Sequence, residues 1–432
     1  MSLDSTPAAP RKGAGLAFAY VTSLFFAWGF ATSLIDPLIA AVRRVFDLSF
    51  TEAFLTTFAW FIAYGVASLP AAAVLSKLGY SRAIIAALAT MVAGCLIVPV
   101  ATTVDWYPGV LLALFVIASG VTLLQVAANP LVAELGSKKS SHFRLVFSQA
   151  FNSLGATVGP WLGAHVLLTG GVFAAGAVVT AATRGESLRS IDIAFLGMGA
   201  FFAVIAVFIF SARKSINAAA PARDAASGQS GSIFSALKSR WAVFGALAIF
   251  VYVGSEVAIG NMLTNFLASP GVLGLELEAA GKMVPFYWGG AMIGRFVGSA
   301  LLTRVRAPIL LAICTAVAVI LCMVVTQTDG VTAAYAALAV GFFNSIMFPT
   351  IFTLTLERST ASASATSGLL VFGIIGGAIL PLIAGQVADR SGDLHLAFFV
   401  PLVGYLLLTA FALICSRWKG AEGQAGSVAS PH

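Results

Sequence analysis

One acid in an apolar run raises the first chemical question. In the stretch FATSLIDPLIAAV, residues 30–42, Asp36 is the lone carboxylate of a run that begins near Leu16, and a proline follows it. Helical residues three and four apart share a face, so Gly29, Thr32, Ser33 and Asp36 make one small, polar stripe. Burial disfavours a charged carboxylate. Such a group can load a proton on one side of a membrane, cross as a neutral acid and release the proton on the other. An anionic Asp36 among hydroxyl and carbonyl oxygens is equally a sodium ligand. Capping a half-helix that restarts at Pro37 is a third reading.

Other apolar runs repeat the design. In SGVTLLQVAANPLVAEL, Ser119, Thr122, Gln125 and Asn129 run down one side, and Pro130 removes a backbone donor and frees a carbonyl. Gln149, Asn152 and Ser153 share a face of the next run. Gly254, Ala258, Asn261 and Asn265 share one further on, with Glu256 on a neighbouring side, and Asn344 lies close in angle to Thr355. Hydrocarbon satisfies none of these groups, so five such faces are expected to meet around one wet cavity. Amides both donate and accept, as each sugar hydroxyl does. The set therefore suits a polyhydroxylated ligand, with Trp28, Tyr252, Phe286, Tyr287 and Trp288 available to stack on it. The substrate-binding candidates are Ser33, Gln125, Asn129, Gln149, Asn152, Glu256, Asn261, Trp288 and Asn344, and Asp36 is the cation-coupling candidate. The competing role for any one amide is a bridge between helices, worth about 0.6 kcal/mol. Arg295, in GGAMIGRFVGS, reads as a structural ion pair or a snorkelling side chain. Glu134, Glu357 and Arg358 lie at run ends and read as gate or loop ion pairs.

The elements that must position these residues are membrane helices. Of the 432 residues, 59% are hydrophobic and 9% charged, against about 25% charged in soluble domains. Mean hydropathy is +0.97. Lipid must be the solvent for most of the surface. The net charge of +7 does not point to nucleic acid, because the basic residues sit in short loops between apolar runs. The four cysteines lie inside apolar runs without metal-like spacing, and the four histidines do not cluster. No metalloprotease, nucleophile-elbow or P-loop motif marks an enzyme, and no cofactor is expected beyond a coupling ion, H+ or Na+.

A bilayer span takes about 20 apolar residues. Runs of that kind fall near 17–43, 52–76, 83–101, 107–134, 142–168 and 190–212, then 241–268, 279–303, 307–326, 331–356, 361–388 and 394–416. The expected architecture is all-α, with twelve transmembrane helices in two pseudo-symmetric six-helix bundles. With the amino terminus inside, 17 Lys and Arg face the cytoplasm, six face out and Arg295 lies within a span. That split places both termini in the cytoplasm. The expected divisions are a tail (1–16), an amino-terminal bundle (17–212), a cytoplasmic linker (213–240) rich in Ala, Ser, Gly and Pro, a carboxy-terminal bundle (241–416) and a second tail (417–432). The halves echo each other. Gln125 stands five residues before Pro130 and Asn344 five before Pro349; GATVGPWLG is answered by GIIGGAILPLIAG. Parallel repeats place a binding site at mid-membrane between the halves.

The chain resembles the fucose–proton symporter family of the major facilitator superfamily, and its glucose/galactose transporter branch most. The resemblance rests on LFFAWGFATSLIDPLI, LLQVAANPLVAELG, HFRLVFSQAFNSLGATVGP, YVGSEVAIG, FYWGGAMIGRFVGS and FNSIMFPTIFTLTLE, which span both halves. It implies an alternating-access importer of a monosaccharide, a glucose- or galactose-type hexose or a relative such as N-acetylglucosamine or fucose. It implies symport, with H+ ahead of Na+. The implied setting is a bacterial inner membrane, with a sugar and the bilayer as partners, no nucleic acid, and function as a monomer. In fucose symporters a coupling carboxylate on the first helix matches Asp36, a second on the fourth matches Gln125, and sugar-site amides match Asn129, Gln149 and Asn152. Gln125 cannot titrate, so a two-carboxylate relay is not implied at these positions. The loop after the second span, VLSKLGYSR, has Ser76 where the superfamily usually carries an Asp, so the gate there is expected to be held differently. A proton-driven exporter of a drug or metabolite is the alternative on the same architecture.

Overall fold

The computed structural model describes residues 14–33, 45–46, 50–167, 172, 180–220 and 233–417, so Asp36 lies outside the described residues. The first six crossings are α1 (Ala14–Ser33), α2 (Phe50–Leu78), α3 (Tyr80–Thr103), α4 (Tyr107–Glu134), α5 (Ser141–Leu167) and α6 (Ala181–Ala219). The next three are α7 (Arg240–Ala268), α8 (Val284–Leu301) and α9 (Ala307–Gln327). The tenth crossing is split into α10 (Gly330–Asn344) and α11 (Met347–Arg358), and the eleventh into α12 (Ala363–Phe372) and α13 (Gly376–Ser391). The twelfth is α14 (Phe399–Arg417).

Ten of these crossings are long and apolar enough to span a bilayer by composition alone, among the described residues. The two that fall short are α5 and α8. They carry Arg144, Ser148, Gln149, Asn152 and Ser153 on one and Arg295 on the other. Both are shielded from lipid where they meet each other.

The two lobes pack in the same way. In the first, α1 lies against α5, α3 against α4 and α6, and α2 against α4. In the second, α7 lies against α13, α9 against α10 and α14, and α8 against α10. Without a hydrophobic drive between helices in lipid, close approach comes from small residues. A Cβ on Gly155 of α5 would collide with the Phe26 carbonyl of α1, and one on Gly376 of α13 would collide with the Phe250 carbonyl of α7. The outer helices turn large apolar side chains outward, among them Val204, Val207 and Phe210 on α6 and Ile313 and Ile320 on α9, as a lipid-facing surface requires.

We call the side bearing Gly79, the α4–α5 turn and the segment between α6 and α7 the linker face. Helix ends there are closed by side chains. Arg144, at the start of α5, donates from Nε to Val132 O at 2.9 Å, from Nη2 to Ala133 O, and from Nη1 to Ser137 O and to Ser140 Oγ. It thereby satisfies the last carbonyls of α4, whose dipole also favours a cation. Ser239 and Ser362 cap α7 and α12. On the opposite face Arg184 of α6 grips Asp105 in the α3–α4 turn with both Nη atoms, at 2.7 and 2.5 Å, and Val45 O at 2.6 Å.

Candidate functional site

The site is built where α4, α5, α7, α8 and α10–α11 converge. On α4, Gln125 is buried and donates Nε2–H to the Tyr64 hydroxyl of α2 at 3.1 Å. One turn on, fully buried Asn129 accepts from Gln149 Nε2 of α5 at 3.5 Å, and its own Nδ2 has no partner among the described residues. Asn152, on the same side of α5, donates to the Phe25 carbonyl of α1 at 3.2 Å. At 1.5 Å per residue, Gln125 and Gln149 lie roughly 12–14 Å in from the linker-face ends of their helices.

The second lobe supplies a matching wall. Asn344 ends α10 and donates Nδ2–H to the Tyr287 hydroxyl of α8 at 2.8 Å. Tyr287 in turn donates to the Glu256 main-chain oxygen of α7 at 3.2 Å, and Tyr252 donates to Asn344 O at 3.1 Å. Asn344 O is available because the crossing breaks there. Pro349 has no N–H, so the carbonyl four residues back, Ser345 O, is freed from the helix ladder. Arg295 Nε takes it at 3.2 Å. Pro130 does the same for Val126 O, and the acceptor is used by Ser367 Oγ of α12, from the other lobe, at 2.8 Å.

Arg295 joins the two walls. Its Nη1 donates to Gln149 O of α5 at 3.2 Å and to Ser153 Oγ. It is a hydrogen-bonding bridge between the lobes, and among the described residues it makes no salt bridge. A second cross-lobe contact lies at the linker face. His142 of α5 sets Nδ1 against Thr353 Oγ1 at 2.5 Å and Nε2 against Glu357 Oε1 at 3.2 Å, and Glu357 also meets Arg358 at 3.4 Å. Ser76, buried near the linker-face end of α2, offers no carboxylate; the His142–Glu357 contact places a carboxylate at that face from the other lobe.

The sequence candidates divide accordingly. Gln125, Asn129, Gln149 and Asn152 share the first wall; Glu256 and Asn344 share the second. Ser33 donates to Phe30 O at 3.0 Å and lies where a Cβ on Gly159 would strike it, so it packs helix to helix. Asn261 is exposed near Gly260, against whose α-carbon the exposed Trp288 indole packs. Tyr252 and Tyr287 are fully enclosed and contribute hydroxyls, with no ring face open for stacking. Tyr64 was not among the candidates. A tyrosine inside an apolar run has no periodic signature to mark it.

Comparison with known proteins shows what this repeated packing belongs to. The Major Facilitator Superfamily model matches residues 21–373. The chain belongs to that superfamily. Within it, the chain is 41% identical over 412 residues to a glucose/galactose transporter of Brucella abortus, covering 95% of this chain and 97% of the relative. It is 30% identical over 419 residues to the L-fucose-proton symporter of Escherichia coli, covering 93% of each. The crystal structure of the superfamily transporter FucP in the outward conformation superposes with a TM-score of 0.84 at 28% identity, over 94% of this chain and all of that one. A proton:xylose symporter shares the fold alone, with a TM-score of 0.70 at 12% identity. The chain is thus a multi-pass sugar transporter of the fucose–proton symporter family, in its glucose/galactose branch, and not an enzyme.

Proposed function

We propose that this superfamily member imports a hexose of the glucose or galactose kind together with a proton, by alternating access, with Asp36 as the coupling carboxylate. The observation that carries the reading is the amide wall of Gln125, Asn129 and Gln149, joined through Arg295 to Ser345, the neighbour of Asn344, across the lobe boundary. Unpartnered Asn129 Nδ2 and Asn344 Oδ1, both buried there, are a donor and an acceptor of the sort a sugar hydroxyl completes. Asn152 and Glu256 complete the proposed set, and Asn261, Trp288 and Ser33 sit at its edges. The relatives named for glucose/galactose transport and for fucose–proton symport support the substrate class and the coupling ion.

The charge bias of the loops supports a cytoplasmic linker face and cytoplasmic termini in a cell membrane. The cross-lobe contacts His142–Glu357 and Ser367–Val126 then close the cytoplasmic side, as an outward-facing state requires. A potential of about 150 mV acting on one charge supplies about 3.5 kcal/mol, which supports an accumulation of roughly a few hundred-fold.

The test is uptake of labelled hexose into proteoliposomes under imposed proton or sodium gradients, with Asp36→Asn alongside. The expected variant accumulates less hexose for the same proton gradient and keeps counterflow. Accumulation driven by sodium alone, or left intact in Asp36→Asn, would overturn the coupling role. A competition panel against one labelled hexose identifies the sugar.

A further inference from the structure

Glu256 has no role fixed by the packing around it. It sits mid-way along α7, its Oε1 is buried, and that atom has no hydrogen-bond partner among the described residues. A buried carboxylate oxygen left without a donor is a costly arrangement inside a membrane protein.

The donors near it are committed elsewhere. Tyr252, one turn earlier on α7, brings its hydroxyl within reach of the carboxylate but spends its proton on Asn344 O. Tyr287 of α8 spends its proton on the Glu256 main-chain oxygen. Arg295 of α8 lies near enough to Glu256 to feel its charge, yet its Nε goes to Ser345 O and its Nη1 to Gln149 O and Ser153 Oγ in the other lobe. The other titratable groups around the pocket are Tyr405 of α14 and Cys322 of α9, both beside Tyr287. Helix α10 offers Asn344, which does not titrate, and α13 offers no ionisable side chain between Gly376 and Val387. A carboxylic acid, which carries its own O–H, fits this setting: it donates to the Tyr252 oxygen, whose hydrogen already points away.

We propose that Glu256 is a second proton-binding site of the transport cycle, in the lobe opposite Asp36. In the state where the lobes meet at the linker face, Glu256 holds the proton and Arg295 is free to bridge to Gln149 and Ser153. As the lobes begin to part and the proton leaves to water on the linker side, the carboxylate becomes the strongest anion near Arg295. The guanidinium then turns to it and lets go of the first lobe. Proton release and lobe separation become one event. The acid that Gln125 cannot supply in the first lobe is supplied here in the second. The inference rests on the reading of the protein as a proton-coupled importer.

The experiment measures hexose accumulation at equilibrium in proteoliposomes against imposed pH gradients, for the wild type and Glu256→Gln, with counterflow as the control for folding. Two protons per hexose give about 100-fold accumulation per pH unit and one gives about tenfold. The wild type is expected to follow the first relation and Glu256→Gln the second, since accumulation at equilibrium depends on stoichiometry and not on hexose affinity. A one-proton slope in the wild type, or an unchanged slope in Glu256→Gln, overturns the proposal. A slope of zero in the wild type overturns the proton-coupled reading as a whole. If Glu256→Gln fails in counterflow, hexose affinity against pH in Asp36→Asn decides: a persisting pH dependence supports the second site, and a flat profile overturns it.

Discussion

The two lobes use one device for different ends. Each places an amide five residues before a proline and hands that amide's N–H to a tyrosine two crossings away: Gln125 to Tyr64, Asn344 to Tyr287. Each proline frees the carbonyl four residues back. In the first lobe the surroundings are neutral amides, and the freed carbonyl is taken by Ser367 from the opposite lobe. In the second lobe the surroundings are Glu256 and Arg295, and the freed carbonyl holds Arg295 itself. A common scaffold thus carries a recognition wall on one side and a charge-bearing wall on the other.

The sharpest way to break this division is Arg295→Ala. It removes two cross-lobe hydrogen bonds from a charged donor, each worth about 1.5–3 kcal/mol. The closed linker face is expected to weaken by roughly 3 kcal/mol, or about a hundredfold in population, read as a shift in labelling of a single cysteine introduced in the linker-face gap. Arg295→Lys keeps the charge without the planar fork and is expected to fall between the two. Labelling unchanged in Arg295→Ala would mean that the charged wall does not hold the lobes together.

A smaller effect tests the tyrosines. Tyr287→Phe removes a hydroxyl that both accepts from Asn344 and donates to Glu256 O, at a cost of about 2 kcal/mol. Tyr64→Phe removes one acceptor, at about 1 kcal/mol. Thermal unfolding in detergent should rank Tyr287→Phe as the less stable, and the reverse order would mean that the second-lobe network is not the tighter one. Smallest is Ser367→Ala. It leaves Val126 O without its cross-lobe donor, at about 1 kcal/mol, and is expected to raise linker-face labelling about fivefold while hexose affinity stays unchanged. A change in affinity would place Ser367 on the recognition wall.

Much of this was legible before any coordinates. Length and hydropathy set the number of crossings, and the 3.6-residue period put Gln125 with Asn129 and Gln149 with Asn152. The proline at 130 announced a freed carbonyl. What the sequence could not announce was its partner, because Ser367 lies in the other half and chain spacing says nothing about contacts between lobes. The same holds for His142 with Glu357: Glu357 reads as a gate residue from its place at a run end, but its partner does not. Helix breaks were also hidden. The turn between Asn344 and Met347 and the 3-10 turn at Gly373–Ile375 interrupt runs that look continuous by hydropathy. Apolar content reports burial in lipid and is blind to where a ladder is cut. Ser33 and Trp288 show the limit of face-sharing arguments, since period assigns a side of a helix without saying what lies opposite it.

The Arg144 clasp has a consequence for motion. By gripping the final carbonyls of α4 from the first turn of α5, it turns the hairpin between them into a stiff elbow. Gln125 and Asn129 on one arm and Gln149 and Asn152 on the other then travel as a single plate whenever the molecule rocks. The plate can keep its shape for the ligand throughout the cycle, and the moving parts are left to the half that carries the charges.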